Sequence, residues 1–310
     1  MKISAFLLLP LAQAFTFQVG NNVQFSRQTS FIAGRAQVVR KVEQPSYART
    51  RHVIKAGWGP DPIWETCTIL SCAPESKNCA LVKVQTTSEQ AAAYQTPGQY
   101  LQFKVAGDDS AKPFFLAMAN PPTGKAEDKE NSSPAEFEFL IKRSDNNGWV
   151  FDLKEGDKVD MSQVLGKGFP IKENLDGFKY DFPTQNVILM CTGTGIAPIK
   201  AAIESGQLGL TEARSCRLYY GVRTPDQMPY SGKFAAWEAS GVEVVPVISQ
   251  PEGTGWTGRT GYVQTALEED GVPIPRNSGA LLCGQKEMAD AAKALLGSAG
   301  VFEGRMLTNF

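Results

Sequence analysis

The run Val187-Ile-Leu-Met-Cys191 passes without a break into Thr192-Gly-Thr-Gly-Ile-Ala-Pro198. Five apolar residues without alternation fit a strand buried on both faces, as in a parallel sheet covered by helices. Gly193 and Gly195 allow a tight turn and a close approach of backbone to phosphate. A helix beyond the turn would offer free N–H groups and the positive end of its dipole to a pyrophosphate. Pro198 suits a first helical turn, where its missing N–H costs nothing. Strand, glycine turn and helix together predict an open α/β sheet. Thr192, Gly193, Thr194, Gly195 and Pro198 are its candidate nucleotide contacts. A turn that needs glycine only for its geometry is the plainer reading of the same residues.

The rest of the chain keeps two different rhythms. After Asn186, strands at 216–221, 242–248 and 279–283 alternate with helical stretches at 197–204, 234–239, 261–269 and 286–297. That alternation predicts a parallel sheet. From about Ile63 to Tyr180 the pattern is short segments of period two, such as 80–84, 100–105, 114–118 and 136–141, broken by Gly, Pro and Asp. It predicts an antiparallel barrel or sandwich. Thr123 to Pro134 reads as an exposed loop. The 310 residues thus divide into a β domain over 57–183 and an α/β domain over 184–310, long enough for two cores.

Two further segments sit where parallel strands end, which is where such sheets bind ligands. In Cys283-Gly-Gln-Lys-Glu-Met288 the thiol is predicted to share a rim with Gly193 and to lie beside a nicotinamide ring. Gly284, Gln285 and Met288 belong to the same loop. A buried structural cysteine is the alternative. In Tyr220-Gly-Val-Arg-Thr-Pro-Asp226, Arg223 is placed to meet a ribose or its 2′-phosphate through a forked hydrogen bond, unless it is simply solvated. Cys67, Cys72 and Cys79 have no fourth partner at iron–sulfur spacing. The only histidine is His52, so no metal centre is expected. A net charge of −1 argues against a nucleic-acid binder.

The N-terminus has its own composition. Met1 to Ala14 has one lysine, a short apolar run and a small-x-small ending, the plan of a secretory signal peptide. No other stretch is apolar enough to span a membrane. Residues 15–56 are Arg-rich, acid-poor and hydroxylated, as in organelle transit peptides. Together, with Phe15 directly after Ala14, they resemble the bipartite plastid presequence of algae with complex plastids. The expectation is a chain delivered to the plastid stroma and cleaved near Ala56, losing His52. Residues 1–56 hold eight basic residues and one acid, whereas 57–310 hold 23 and 31. The expected mature chain is therefore acidic.

In this order the motifs make the chain resemble the ferredoxin–NADP reductase superfamily, over nearly all of Ile63 to Phe310. Pro97-Gly-Gln-Tyr and Leu153-Lys-Glu-Gly-Asp-Lys-Val resemble its barrel motifs. GTGIAP, YGVR-x-x-D, Thr260-Gly-Tyr-Val and CG-x-x-x-M resemble those of its second domain. The resemblance implies a six-stranded antiparallel flavin-binding barrel followed by a Rossmann-like α/β domain. It also implies FAD and NAD(P)H as cofactors. Phe310 resembles the aromatic end that covers the flavin or nicotinamide. The superfamily's flavin motif, Arg-x-Tyr-Ser, aligns with Phe114-Phe-Leu-Ala-Met-Ala-Asn120. Phe114, Leu116 and Ala117 thus stand in place of the arginine, tyrosine and serine, and Met118, Ala119 and Asn120 follow. Lys112 is the cation nearby, and the turn at Asn147 and Gly148 is a second place for phosphate.

The activity implied is hydride and electron transfer between NAD(P)H and an acceptor through FAD. The acceptor would be a small redox protein or a small molecule. Hydride transfer needs position and dryness rather than a proton carrier, which suits a mature chain without histidine. The other reading is a relative without catalysis that senses a nicotinamide nucleotide or serves in an electron-transfer assembly.

Overall fold

The computed structural model describes residues 61–122, 135–177 and 179–309. Residues 1–60, with the expected presequence and His52, the segment 123–134, Phe178 and Phe310 lie outside the described residues.

The first half largely alternates apolar and polar side chains along its strands, although Leu101–Lys104 and Val159–Met161 are buried in succession. The strands run β1 (Glu65–Ser76), β2 (Cys79–Gln85), then the short helix α1 (Ser88–Ala93), whose start is closed by a capping box between Thr87 and Gln90. After α1 come β3 (Tyr100–Val105), β4 (Phe114–Ala117), β5 (Glu136–Lys142) and β6 (Lys158–Met161). All pair antiparallel in the order β4-β3-β6-β1-β2-β5. Just past β4 the Ala119 N–H donates to the Glu138 carbonyl at 2.7 Å, and the Glu138 N–H to Asn120 Oδ1 at 2.9 Å. These bonds join the two outer strands into a barrel. Its core is aromatic: Phe103 lies 5.5 Å from Phe114, 5.9 Å from Phe139 and 5.9 Å from Trp149, against which it stacks.

The second half begins after α2 (Ile171–Leu175). It comprises β7 (Asn186–Thr192), α3 (Ile196–Glu204), β8 (Ser215–Val222), α4 (Phe234–Ala239), β9 (Val242–Ile248) and β10 (Arg259–Thr260). It ends with α5 (Val263–Asp270), β11 (Ser278–Cys283), α6 (Lys286–Ala299) and β12 (Met306–Thr308). These strands form a parallel sheet ordered β10-β9-β8-β7-β11-β12. From β7 the chain builds outward through β8 and β9, then returns to lay β11 on the other side of β7. The order reverses between β7 and β11, and a crevice opens there beyond their carboxyl ends. Both sheets belong to one compact unit. Among the described residues no helix is long and apolar enough to cross a membrane.

The edges of the parallel sheet are fastened differently. At the β10 edge Asp270 accepts from Tyr219 Oη at 2.8 Å and pairs with Arg217 at 3.2 Å and with Arg259. At the β12 edge Arg305 is fully buried. Its guanidinium lies over the rings of Tyr180, Phe182 and Phe302 at 4.5, 4.6 and 5.6 Å, and it donates to the carbonyls of Arg276 and Phe182.

Two elements differ from the sequence pattern. β1 is a single 12-residue strand that runs through Pro74, and register shifts near Ile69–Ser71 and Pro74–Ser76 let it bend. β12 has only three residues, too few to show a period. Truncating Phe103→Ala empties the centre of the barrel cluster. It is expected to cost about 3–5 kcal/mol, seen as a lower urea midpoint with an unchanged slope.

Candidate functional site

The site is built on the turn that follows β7. Cys191 pairs in register with Cys283 on β11, so the turns leaving the two strands are neighbours. Gln285 donates its N–H to Thr192 Oγ1 at 3.2 Å, and Tyr220 Oη donates to the Gly193 carbonyl at 3.3 Å. Gly195 has no room for a side chain, because a Cβ there would stand 2.3 Å from the Cys283 carbonyl oxygen. Gly284, at φ +151°, would place a Cβ 2.3 Å from Thr192 Oγ1. No side chain caps α3. The helix continues the 3₁₀ turn Gly193–Gly195, which no side chain caps either. The Ile196 N–H is spent on the carbonyls of Gly193 and Thr194, and Pro198 has none. The N–H groups placed to meet an anion are therefore those at the start of the glycine turn, at the positive end of the helix dipole.

These turns border a cavity of about 910 Å³ shared by both sheets. Thr192, Gly193, Thr194, Gly195, Pro198, Arg223, Cys283, Gly284, Gln285 and Met288 all line it. The facing wall comes from the barrel: Phe115, Leu116 and Ala117 of β4, with Cys79, Leu140 and Lys142. Phe115 is 57% exposed and is held by an edge contact to Tyr100 at 5.7 Å. The cavity thus has a polar, glycine-lined side and an apolar side that suits a flat ring.

Its ionisable groups are few. Burial pushes the Cys283 thiol up to about 12, so it stays protonated at neutral pH and packs as a small polarizable group rather than as a nucleophile. Arg223 stands exposed at the rim. Among the described residues no carboxylate pairs with it; the nearby Asp226 is taken by Lys77 at 2.8 Å. A free cation beside a hydroxyl (Ser249) and an amide (Gln250) in the same lining suits a phosphate.

Several residues expected at the cofactor do not line the cavity. Phe114 turns the other way, into the barrel, 6.3 Å from Trp149, because neighbouring side chains on a strand point to opposite faces. Met118 and Ala119 are wholly buried in the core. Asn120 is spent on backbone, accepting from the Glu138 N–H and donating to the Glu136 carbonyl at 3.3 Å. Asn147 likewise accepts from the Ser144 N–H and donates to the Lys142 carbonyl. Gly148 begins the short 3₁₀ turn Gly148–Asp152 and lies outside the cavity lining. Phe310 lies outside the described residues. The lining adds Phe115, Lys142, Ser249, Gln250 and Asn309, which motif reasoning passed over, and Tyr262, which lies in the Thr260-Gly-Tyr-Val motif but was given no site role. Phe115 was open to detection, since an inward Phe114 obliges its neighbour to face out. The last four are brought in by loops, with no periodic signal.

The α/β half matches the family model described as an oxidoreductase NAD-binding domain, over residues 189–294. The fruit protein pKIWI502 of Actinidia deliciosa is 34% identical over 256 residues, covering 81% of this chain and 76% of that protein. The chain belongs to the ferredoxin–NADP reductase superfamily. A component of the Na⁺-translocating NADH-quinone reductase of Psychrobacter arcticus is 31% identical over 206 residues, 63% of this chain. The chain spans about half of that relative's length, 47%. Among solved structures, a ferredoxin NADP⁺ reductase from Neisseria gonorrhoeae with bound FAD and NADP superposes with a TM-score of 0.63 at 14% identity. The match covers 79% of this chain and 97% of that one. A cytochrome P450 reductase from Amycolatopsis gives 0.64 at 24% identity, covering 80% and 70%. At these identities the superpositions show the fold: an antiparallel barrel joined to a nucleotide-binding α/β domain.

Gly195→Ala is expected to push the two turns apart, because its methyl group meets backbone rather than a movable side chain. Overpacking of this kind costs about 1–3 kcal/mol. The expected result is at least a tenfold weaker NAD(P)H affinity by calorimetry in a chain that still folds. Cys283, a neutral buried thiol, is expected to resist iodoacetamide at pH 8, as followed by mass spectrometry of its peptide.

Proposed function

We propose that this protein is an NAD(P)H-dependent flavin oxidoreductase that passes electrons to an acceptor in the plastid. One observation carries the reading: a single cavity has the glycine turn of a nucleotide fold on one side and an apolar barrel wall on the other. The residues fit a nicotinamide nucleotide. Glycines at 195 and 284 keep the cradle open, and the glycine turn leading into α3 offers backbone N–H groups to the pyrophosphate. Cys283 provides a small soft surface for the nicotinamide ring. The apolar wall at Phe115, Leu116, Ala117 and Leu140 fits the ring of FAD, and Lys142 is the cation on that wall. β4 itself offers no charge to the flavin phosphates, because Phe114-Phe-Leu-Ala117 has no ionisable side chain. When bound, the nicotinamide supplies a hydride and the flavin takes it up and passes electrons on. The chain's own residues then have three tasks. The turns after β7 and β11 set the nucleotide's position, the barrel wall excludes water, and the protonated Cys283 adds no competing charge.

Arg223 supports a preference for NADPH. The rim lacks a free carboxylate at the end of β8, where one would favour a ribose 2′-hydroxyl and repel a 2′-phosphate. Arg223→Ala is expected to weaken NADPH binding about tenfold, the scale of one charge-assisted contact of 1.5–3 kcal/mol. NADH binding should change less than twofold; equal losses for both would remove the assignment.

The activity itself is read from the absorption spectrum of the purified chain from Gly57 onward. A flavin spectrum, alone or after adding FAD, bleached by NADPH is the expected result. The altered β4 motif favours one second reading, a nicotinamide-nucleotide sensor or electron-transfer component without flavin. A colourless chain that takes up no FAD yet binds NADPH would establish it. The plastid address rests on residues 1–56. N-terminal sequencing of the native protein is expected to begin near Ala56, and a native chain beginning at Met1 would refute the address.

A further inference from the structure

Lys200 lies on the second turn of α3, just beyond the glycine turn, and its side chain is only 3% exposed. A buried ammonium must place all three of its protons, and this one does. It donates to the Ala119 carbonyl at 3.0 Å, to Glu138 Oε1 at 3.1 Å and to Glu204 Oε2 at 2.9 Å. Only Glu204 belongs to its own helix. Ala119 and Glu138 are the residues whose backbone bond joins β4 to β5 and closes the barrel.

Other groups converge on the same point. Tyr230 Oη donates to Glu138 Oε1 at 3.1 Å, and the Tyr230 ring lies 5.4 Å from the ammonium. Tyr230 holds a left-handed backbone, φ 58°, and its N–H donates to Glu75 Oε1 on β1 at 2.8 Å. Trp237 Nε1 and Lys233 reach the Glu204 carboxylate, each at 3.3 Å. Burial, the largest single influence, would raise the Glu204 carboxyl, but Lys200, Trp237 and Lys233 together outweigh it and hold the group below its ordinary value.

The two walls of the cavity hang from this junction. Ala117, on the barrel wall, is two residues before Ala119. Gly195, in the nucleotide turn, is five residues before Lys200, less than two helical turns. We propose that Lys200 is a positioning residue: its ties to Ala119 and Glu138 fix the gap between the nucleotide turn and the barrel wall, and so the distance over which hydride passes. It does not line the cavity. The inference rests on the oxidoreductase reading above. Hydride transfer depends steeply on that distance, whereas nucleotide binding uses only the turns after β7, β8 and β11.

The predicted signature is a loss of rate without a loss of affinity. Lys200→Met alone leaves the largely buried Glu138 carboxylate without its ion-pair partner and threatens folding, while Glu204 keeps Lys233 and Trp237. The test therefore uses K200M/E138Q, in which Glu138 is also neutral. Glu204→Gln, at the solvent side of the junction, is the milder companion. NADPH affinity is measured by calorimetry on the flavin-free protein. Flavin reduction by NADPH is measured in single turnover after loading with FAD, with both 4-hydrogen and 4-deuterium nucleotide. The expected result for K200M/E138Q is an NADPH Kd within threefold of the parent, reduction slowed at least tenfold, and a larger isotope effect. E204Q should slow reduction about threefold at unchanged Kd. An unchanged rate in the folded double variant overturns the proposal, as does a Kd that rises in parallel with the loss of rate. If the parent protein binds NADPH but is never reduced through FAD, or binds no NADPH, the oxidoreductase reading fails first and takes this inference with it.

Discussion

Gly195 rests against the carbonyl of Cys283 with no space for a methyl group between them, and the rest of the molecule is arranged around that approach. It exists because the parallel sheet reverses its strand order between β7 and β11. The ends of β8 and β9 open onto the same cavity through Arg223, Ser249 and Gln250, but only between β7 and β11 do two turns lie directly against each other. Each turn holds the other, through the Gln285 N–H on Thr192 and through the glycines at 195 and 284. A phosphate site made of backbone is only as rigid as the backbone, and mutual support of this kind removes the need for ordering when the nucleotide arrives. The barrel then supplies what the sheet lacks, an apolar surface on the far side of the crevice.

The division of chemistry follows. Beyond residue 56 the chain contains no histidine, and the thiol in the cavity is held protonated by burial. The site presents backbone N–H groups, a rim arginine, a lysine and apolar walls, with Glu287 and Tyr262 exposed at its margin. Those are the means of binding, aligning and drying two cofactors rather than of moving protons, and they place the oxidoreductase reading on the chain's physical resources as well as on its kinship.

Much of this was legible before any coordinates. Unbroken apolarity at 187–191 required a doubly buried strand, and the glycines directly after it had no role in the interior of a helix. Period two at 100–105 and 136–141 pointed to strands with one wet face; the strands are there, but their outer face is covered too, with Gln102, Lys104 and Leu140 buried. What the sequence did not disclose were facts of direction and closure. Treating 114–120 as one motif put Phe114, Met118 and Ala119 at a ligand, although alternation sends Phe114 inward and the barrel's closure buries the other two. Asn120 and Asn147 looked like ligand contacts, and both turn out to satisfy backbone, the commoner use of asparagine near turns. Lys200 carried no signal, because a lysine on a helix is ordinarily solvated. Only the arrival of β4 and β5 beside α3 makes it a buried junction.

The fastenings at the two margins of the parallel sheet have unequal sensitivities to the surrounding medium. The ion pairs of Asp270 with Arg217 and Arg259 stand near the surface, and dissolved ions weaken such attractions within a Debye length of roughly 8–10 Å. The caged Arg305 leans on ring faces and carbonyl oxygens inside the protein, out of reach of counterions. Brine therefore loosens the β10 margin while the β12 margin holds. Fraying begins on the side remote from the crevice, and the turns around Gly195 and Cys283 are among the last parts of the sheet to feel a change in ionic strength.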